Sequence, residues 1–136
     1  MKALDVALQA KLVADTGAGG LMTFLAGGVH NVVATDPVVY PYLVYQLVSG
    51  NDAYTFLNRI NTAYLYQIRV IGRGPDKEAI SDALARVDAL LTRQTLTITG
   101  VATWFVQREG DIPDMVEQDG DTVLMQVGSV YRIEIS

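Results

Sequence analysis

This sequence predicts an α+β fold, an antiparallel β-sheet with two main helices packed on one face, built as one domain over residues 1–136. Apolar residues recur at three- and four-residue spacing in two separated segments, near the N-terminus and across residues 72–94. Between and after those segments the period falls to two, the spacing of half-buried strands. No internal repeat, heptad array or low-complexity tract interrupts this order.

The elements follow in chain order. Residues 3–14 form a helix, with Leu4, Leu8 and Leu12 stacked one turn apart and Ala7, Ala10 and Val13 widening the stripe. "TGAGG" stops it, and "LMTFLA", residues 21–26, has room for one more helical turn before Gly27-Gly28. "VHNVVA" is a short strand. After Asp36-Pro37 comes "VVYPYLVYQLVSG", in which Tyr42, Val44, Gln46 and Val48 point one way and Leu43, Tyr45 and Leu47 the other. Both faces are largely apolar, so both are expected to be covered. Pro41 lacks an amide donor and marks the first residue of this strand or an edge position. Residues 50–62, "GNDAYTFLNRINT", open on a turn signal and read as a long loop carrying Tyr54, Phe56 and Arg59. "AYLYQIRVIG" is a strand with Tyr64, Tyr66, Ile68 and Val70 on one face. The clearest helix is "GRGPDKEAISDALARVDALLTRQ", whose stripe is Ile80, Ala83, Leu84, Val87, Leu90 and Leu91. Pro75 falls where a first turn tolerates it. "LTIT", "VATWFVQR" and "TVLMQVGSVYRIEIS" are strands, with Gly128 expected at a bulge.

Composition narrows the function. Half of the residues are hydrophobic and the mean hydropathy is +0.24, a balance that favours burial of surface between subunits. Cysteine is absent, which excludes thiol catalysis and cysteine-ligated zinc. Asp5, Lys11 and Asp15 interrupt the N-terminal segment, which therefore reads as neither signal peptide nor membrane span, and a cytosolic site of synthesis is expected. The net charge of −5 is unevenly placed: residues 108–121, read as one loop, hold six acids against Arg108 alone, and the rest of the chain is neutral. An acidic chain without clustered Lys and Arg is not expected to bind nucleic acid specifically.

Catalytic and ligand signatures fail one by one. His30 is the sole histidine and no Gly-x-Ser-x-Gly turn accompanies a serine, so Ser-His-Asp chemistry has no base. An EF-hand reading of "MVEQDGDTVLM" would put Met115 at the first ligand position. "GRG", residues 72–74, lacks the third glycine of a dinucleotide fingerprint, and Pro75 removes an amide donor, leaving a tight strand-to-helix turn. Tyr40, Tyr42 and Tyr45 could stack on bases, but no basic residue lies between Lys11 and Arg59 to frame such a platform. No cofactor, metal or enzymatic activity is expected. The tyrosines are instead amphipathic, low-entropy residues suited to a core or a protein interface.

The order of elements, with "YPYLVYQLVSG", the long segment after it, the "PDKEAISDALARVDALL" helix and the closing "VYRIEIS" strand, resembles the tail-terminator or tail-completion proteins of long-tailed bacteriophages over nearly the whole chain. The resemblance implies a subunit that closes into a homo-oligomeric ring, typically a hexamer, on the head-proximal end of the tail. Its partners would be the major tail tube protein and a neck or head-completion protein. On this reading Tyr42 and Tyr45 lie on opposite faces of their strand, one of them at a subunit contact, while Tyr54, Phe56 and Arg59 reach the tube. Asp111, Asp114, Glu117, Asp119 and Asp121 would include residues lining or rimming the channel, a solvated hairpin that aids solubility being the alternative. A neck protein between portal and terminator, and a small cytosolic ligand-binding α+β domain, are the other readings open at this point.

Overall fold

The structure, a computed structural model, describes residues 2–34, 39–54, 59–94, 96, 98 and 103–135. Helix α1 (Lys2–Val13) and the single turn α2 (Leu21–Phe24) precede strands β1 (Val29–Asn31), β2 (Tyr42–Tyr54) and β3 (Arg59–Arg73). A 3₁₀ turn, Gly74–Asp76, leads into α3 (Lys77–Leu91), and β4 (Thr103–Asp119) and β5 (Thr122–Ile135) complete the fold. The sheet order is β1-β2-β3-β5-β4. Every pairing is antiparallel except that of β1 with β2, which is parallel, so the sheet is mixed at one edge. That edge strand follows a helix rather than a hairpin turn, which frees it to run in either direction.

The helices cover one face. Leu4, Leu8 and Leu12 of α1 and Ile80, Ala83, Val87 and Leu91 of α3 are buried with Leu43 and Tyr45 of β2, Tyr66, Ile68 and Val70 of β3, and Tyr131, Ile133 and Ile135 of β5. Each fully buried aliphatic side chain contributes roughly 1.5–3 kcal/mol. Two phenols stitch the sheet to α1: the Tyr45 hydroxyl donates to the Asp5 carbonyl at 3.2 Å, and the Tyr66 hydroxyl donates to Asp5 Oδ1 at 2.6 Å. Burial, reinforced by that carboxylate, pushes the Tyr66 phenol well above the ordinary tyrosine range. Asp15 braces the helical layer by accepting from both Arg86 Nε (2.6 Å) and the Leu21 amide (2.7 Å).

Three readings of the sequence need correction. Residues 50–62 are not a long loop: residues 50–54 extend β2 and 59–62 begin β3, with Gly50 paired to Tyr64 and Asp52 to Thr62. The segment 55–58 lies outside the described residues. Gly50 serves the packing, because a Cβ there would sit 3.0 Å from the Tyr64 ring. The acidic stretch 108–121 is likewise no loop. It is the body of β4, turned into β5 by Gly120-Asp121, with Gly120 at φ +60° in the position a type II′ hairpin turn gives to glycine. The bulge expected at Gly128 lies in the strand opposite: Gly128 pairs with Arg69 and with Ile112, and the extra residue falls in β4 just beyond Ile112. The reason for the glycine is close approach: a Cβ there would lie 2.5 Å from the Ile68 carbonyl oxygen and 2.9 Å from Ile112 Cδ1. The register shift beside it runs between Ile112 and Met115, and others lie between Thr103 and Phe105, Arg108 and Gly110, and Leu47 and Ser49.

Candidate functional site

No reaction centre is assembled among the described residues. His30 Nε2 donates to the Gly27 carbonyl at 2.8 Å and its ring meets the Tyr42 ring edge-on, a packed arrangement with no nucleophile in reach. No group of three or more His, Cys, Asp or Glu could hold a metal ion among the described residues. The densest polar cluster lies where α3 meets the second hairpin. Tyr131 donates to Asp88 Oδ1 at 3.2 Å, Ser129 donates to Asp111 Oδ1 at 3.0 Å, and Arg108 pairs with Asp111 and, at 3.9 Å, with Asp88. Burial, then the Asp88 carboxylate, raises the Tyr131 phenol above its ordinary range. Ser129 is bonded to a carboxylate already paired with arginine, so nothing there activates its hydroxyl. The cluster fixes a helix to a sheet.

What the fold offers instead is surface. Tyr42 and Tyr45 stand on opposite faces of β2. Tyr45 is buried under α1, whereas Tyr42 is half-buried on the face the helices leave open. Its ring packs 5.5 Å from that of Tyr40, over which Arg73 sits at 5.0 Å, and burial followed by the neighbouring Tyr40 raises the Tyr42 phenol. The same open face carries Val44, Gln46, Gln67 and Arg69. Tyr54 and Arg59 pair with each other at the far end of the β2–β3 hairpin, and Phe56 lies outside the described residues.

The five acidic candidates do not share one surface. Asp111 and Asp114 border a concavity of about 450 Å³ on the helix side, together with Ser81, Asp88 and Arg108 of α3 and β4. The register puts Glu117 on the opposite side of the ribbon and Asp121 occupies the turn, while the side chain of Asp119 lies outside what the structure describes. Interleaved with them are exposed Met115, Val116 and Val123.

A feature nearly invisible in the sequence lies at the other edge. Val32 has φ +66°, a left-handed conformation that a β-branched residue adopts only at a cost of about 1–3 kcal/mol. Its amide is held by the Tyr45 carbonyl at 3.0 Å, and its side chain is 58% exposed, with Val33 at 73%. "VHNVVA" reads as plain strand, and its one turn-type residue, Asn31, stands just before the left-handed position rather than at it.

The described residues thus form a mixed sheet with one face covered by helices and two long hairpins. The family model described as tail completion protein gp17 matches residues 6–132, and the chain belongs to that family. It is accordingly a structural protein of a phage or phage-like tail, a component of a virion. A chain in the virion of a native gene transfer agent particle shares its fold, with a TM-score of 0.73 at 17% identity, over 97% of this chain and 93% of that one. A second solved chain reaches a TM-score of 0.54 at 16% identity, over 97% and 94% respectively. No curated protein matches the sequence.

Proposed function

We propose that this protein is the tail terminator: its copies close into a ring, a hexamer, that caps the head-proximal end of the tail tube and joins it to the head-neck complex. One observation carries the reading. The two hairpins leave the sheet at opposite ends, because β3 runs from the Tyr54–Arg59 end to the end where Arg73 meets Leu124 beside the β4–β5 turn. A ring set between a tube and a neck needs two unlike axial surfaces, and this subunit carries a near-neutral projection at one end and an acidic one at the other. The β2–β3 end, where Tyr54 and Arg59 pair, faces the tube. Asp111, Asp114 and Asp121, on the helix side and turn of the second ribbon, rim the channel, where negative charge lets a DNA duplex pass without holding its phosphates.

The test is electron microscopy of particles made without this chain, with light scattering of the purified protein. Overlong tails and a mass several times that of one subunit are the expected results. Tails of normal length that lack heads would instead assign the chain to the neck.

A further inference from the structure

We infer that the subunits join head to tail through the two edges of the sheet: the acidic β4–β5 ribbon of one copy seats against the valine ledge, Val32, Val33 and Val39, of the next. The inference rests on the ring reading above and names the surfaces that would close it.

The occupant is argued from complementarity within one sequence. At the β1 edge, Val32, Val33 and Val39 are exposed, and Val32 is held in a left-handed backbone that Asn or Gly would adopt at less cost. Val32 and Val33 overhang a cleft of about 280 Å³ on the open sheet face, which Arg69 also lines. The Arg69 Nε is buried there and finds no partner among the described residues. Arg73 borders the neighbouring concavity with Val39, Tyr40 and Asp76; the Asp76 carboxylate accepts from the Arg73 backbone amide, and the Arg73 guanidinium has no ion pair among the described residues. The second ribbon presents the counterpart: exposed Met115 and Val116 of β4 and Val123 of β5, beside the carboxylate of Glu117. One edge is thus apolar and cationic, and the other is apolar and anionic.

The ribbon cannot reach its own ledge. Backbone pairing holds it in the sheet as far as Leu124, with β3 and β5 between the two edges. Only another copy can bring them together. A contact between unlike edges is heterologous, so each subunit keeps a free ribbon and a free ledge until rotation closes the ring.

The test uses two single variants and their mixture. In Arg73→Glu subunits the ledge repels their own ribbon, and in Glu117→Arg subunits the ribbon repels their own ledge, so each alone should lose about tenfold in association. Mixed, the two should recover it, because unlike subunits then alternate around the ring. A mixture no better than either variant alone overturns the inference, as does association that neither change weakens. In both of those outcomes the ring itself survives. Because the chain has no cysteine, Val33→Cys with Val116→Cys supplies a second readout in assembled particles. Oxidation should give a ladder of cross-linked subunits. Particles of normal assembly that yield no ladder also overturn it.

Discussion

The β2–β3 and β4–β5 hairpins are built alike and end differently. Both are long antiparallel pairs in one sheet, and each has a helix-covered stretch and an uncovered end. The uncovered end of the first is near neutral, with Val48, Gly50 and Asn51 leading towards Tyr54, and that of the second holds the chain's whole excess of negative charge. The backbone architecture does not distinguish them, so the side chains at the two ends must assign their roles. A Gly-Asx pair illustrates the same point at the scale of one residue. In Gly50-Asn51 the glycine makes room for an aromatic ring inside a strand, whereas Gly120-Asp121 turns the chain.

The largest expected effect breaks the comparison outright. Replacing residues 54–59 by a short Asn-Gly turn should leave circular dichroism and melting temperature near those of the parent while tails grow without a fixed end. Reversing the other end, with Asp114→Lys and Asp121→Lys together, should leave tail length normal and slow DNA ejection, most of all at low salt. If the shortened first hairpin gives tails of normal length, or the reversed second gives overlong ones, the two ends have been assigned the wrong way round.

Much of this was legible beforehand. The helices declared themselves by stripes that end at glycines or at a change of period, and Tyr66, Ile68 and Val70 announced a buried face by alternation. The extent of the hairpins did not show, for a physical reason. Residues 50–53 and 61–64 are strand because each pairs across the hairpin, a long-range gain that outweighs the local turn preference of Gly-Asn-Asp. The acidic segment misled in the same way, since charge lowers strand propensity but is tolerated on an edge strand facing water. The valine ledge had almost no local signal, only Asn31 one residue before it. Its conformation is imposed by the Val32 amide bond to Tyr45, a partner thirteen residues further along the chain.

Next in size is a glycine series that tests the contrast residue by residue. Gly128→Ala should cost about 2–3 kcal/mol, because its Cβ would meet the fixed carbonyl of Ile68 in the neighbouring strand. Gly120→Ala should cost about 1 kcal/mol for the left-handed backbone alone, with open space around the new methyl group. Gly50→Ala should stay within about 0.5 kcal/mol, since the Tyr64 ring can tilt aside and a strand prefers alanine to glycine. Chemical denaturation of the three variants checks the order. A Gly50 variant weaker than the Gly120 variant would mean that residue 50 turns the chain after all.

A smaller change, remote from both hairpins, shows what loss of stability without loss of function looks like. The Arg86 hydrogen bond holds the Asp15 carboxyl below its usual range, so ionised Asp15 binds its partners better in the folded state. That contribution is complete above the ordinary aspartate value of about 3.9 and is lost as pH falls through the lowered folded value. Asp15→Asn should therefore melt earlier than the parent at neutral pH and converge with it in acid, while termination and ejection stay normal. A difference in melting temperature that persists unchanged at low pH would show that Asp15 acts through packing rather than charge.

The smallest expected effect is also the most diagnostic, because its two readouts move in opposite directions. Asn tolerates the left-handed region better than valine, and the Val32 side chain is too exposed to contribute much to the core. Val32→Asn should therefore raise the stability of the isolated subunit by about 1 kcal/mol through relief of backbone strain. Association should weaken in the same variant, since the ledge loses an apolar side chain that the ribbon of the next subunit covers. A residue kept for the fold alone would not behave this way: relieving its strain would improve the subunit and leave the assembly untouched. Thermal melting at low protein concentration and light scattering at high concentration separate the two. A variant that is both more stable and fully associated would remove Val32 from the interface and leave its strained backbone without a purpose in the ring.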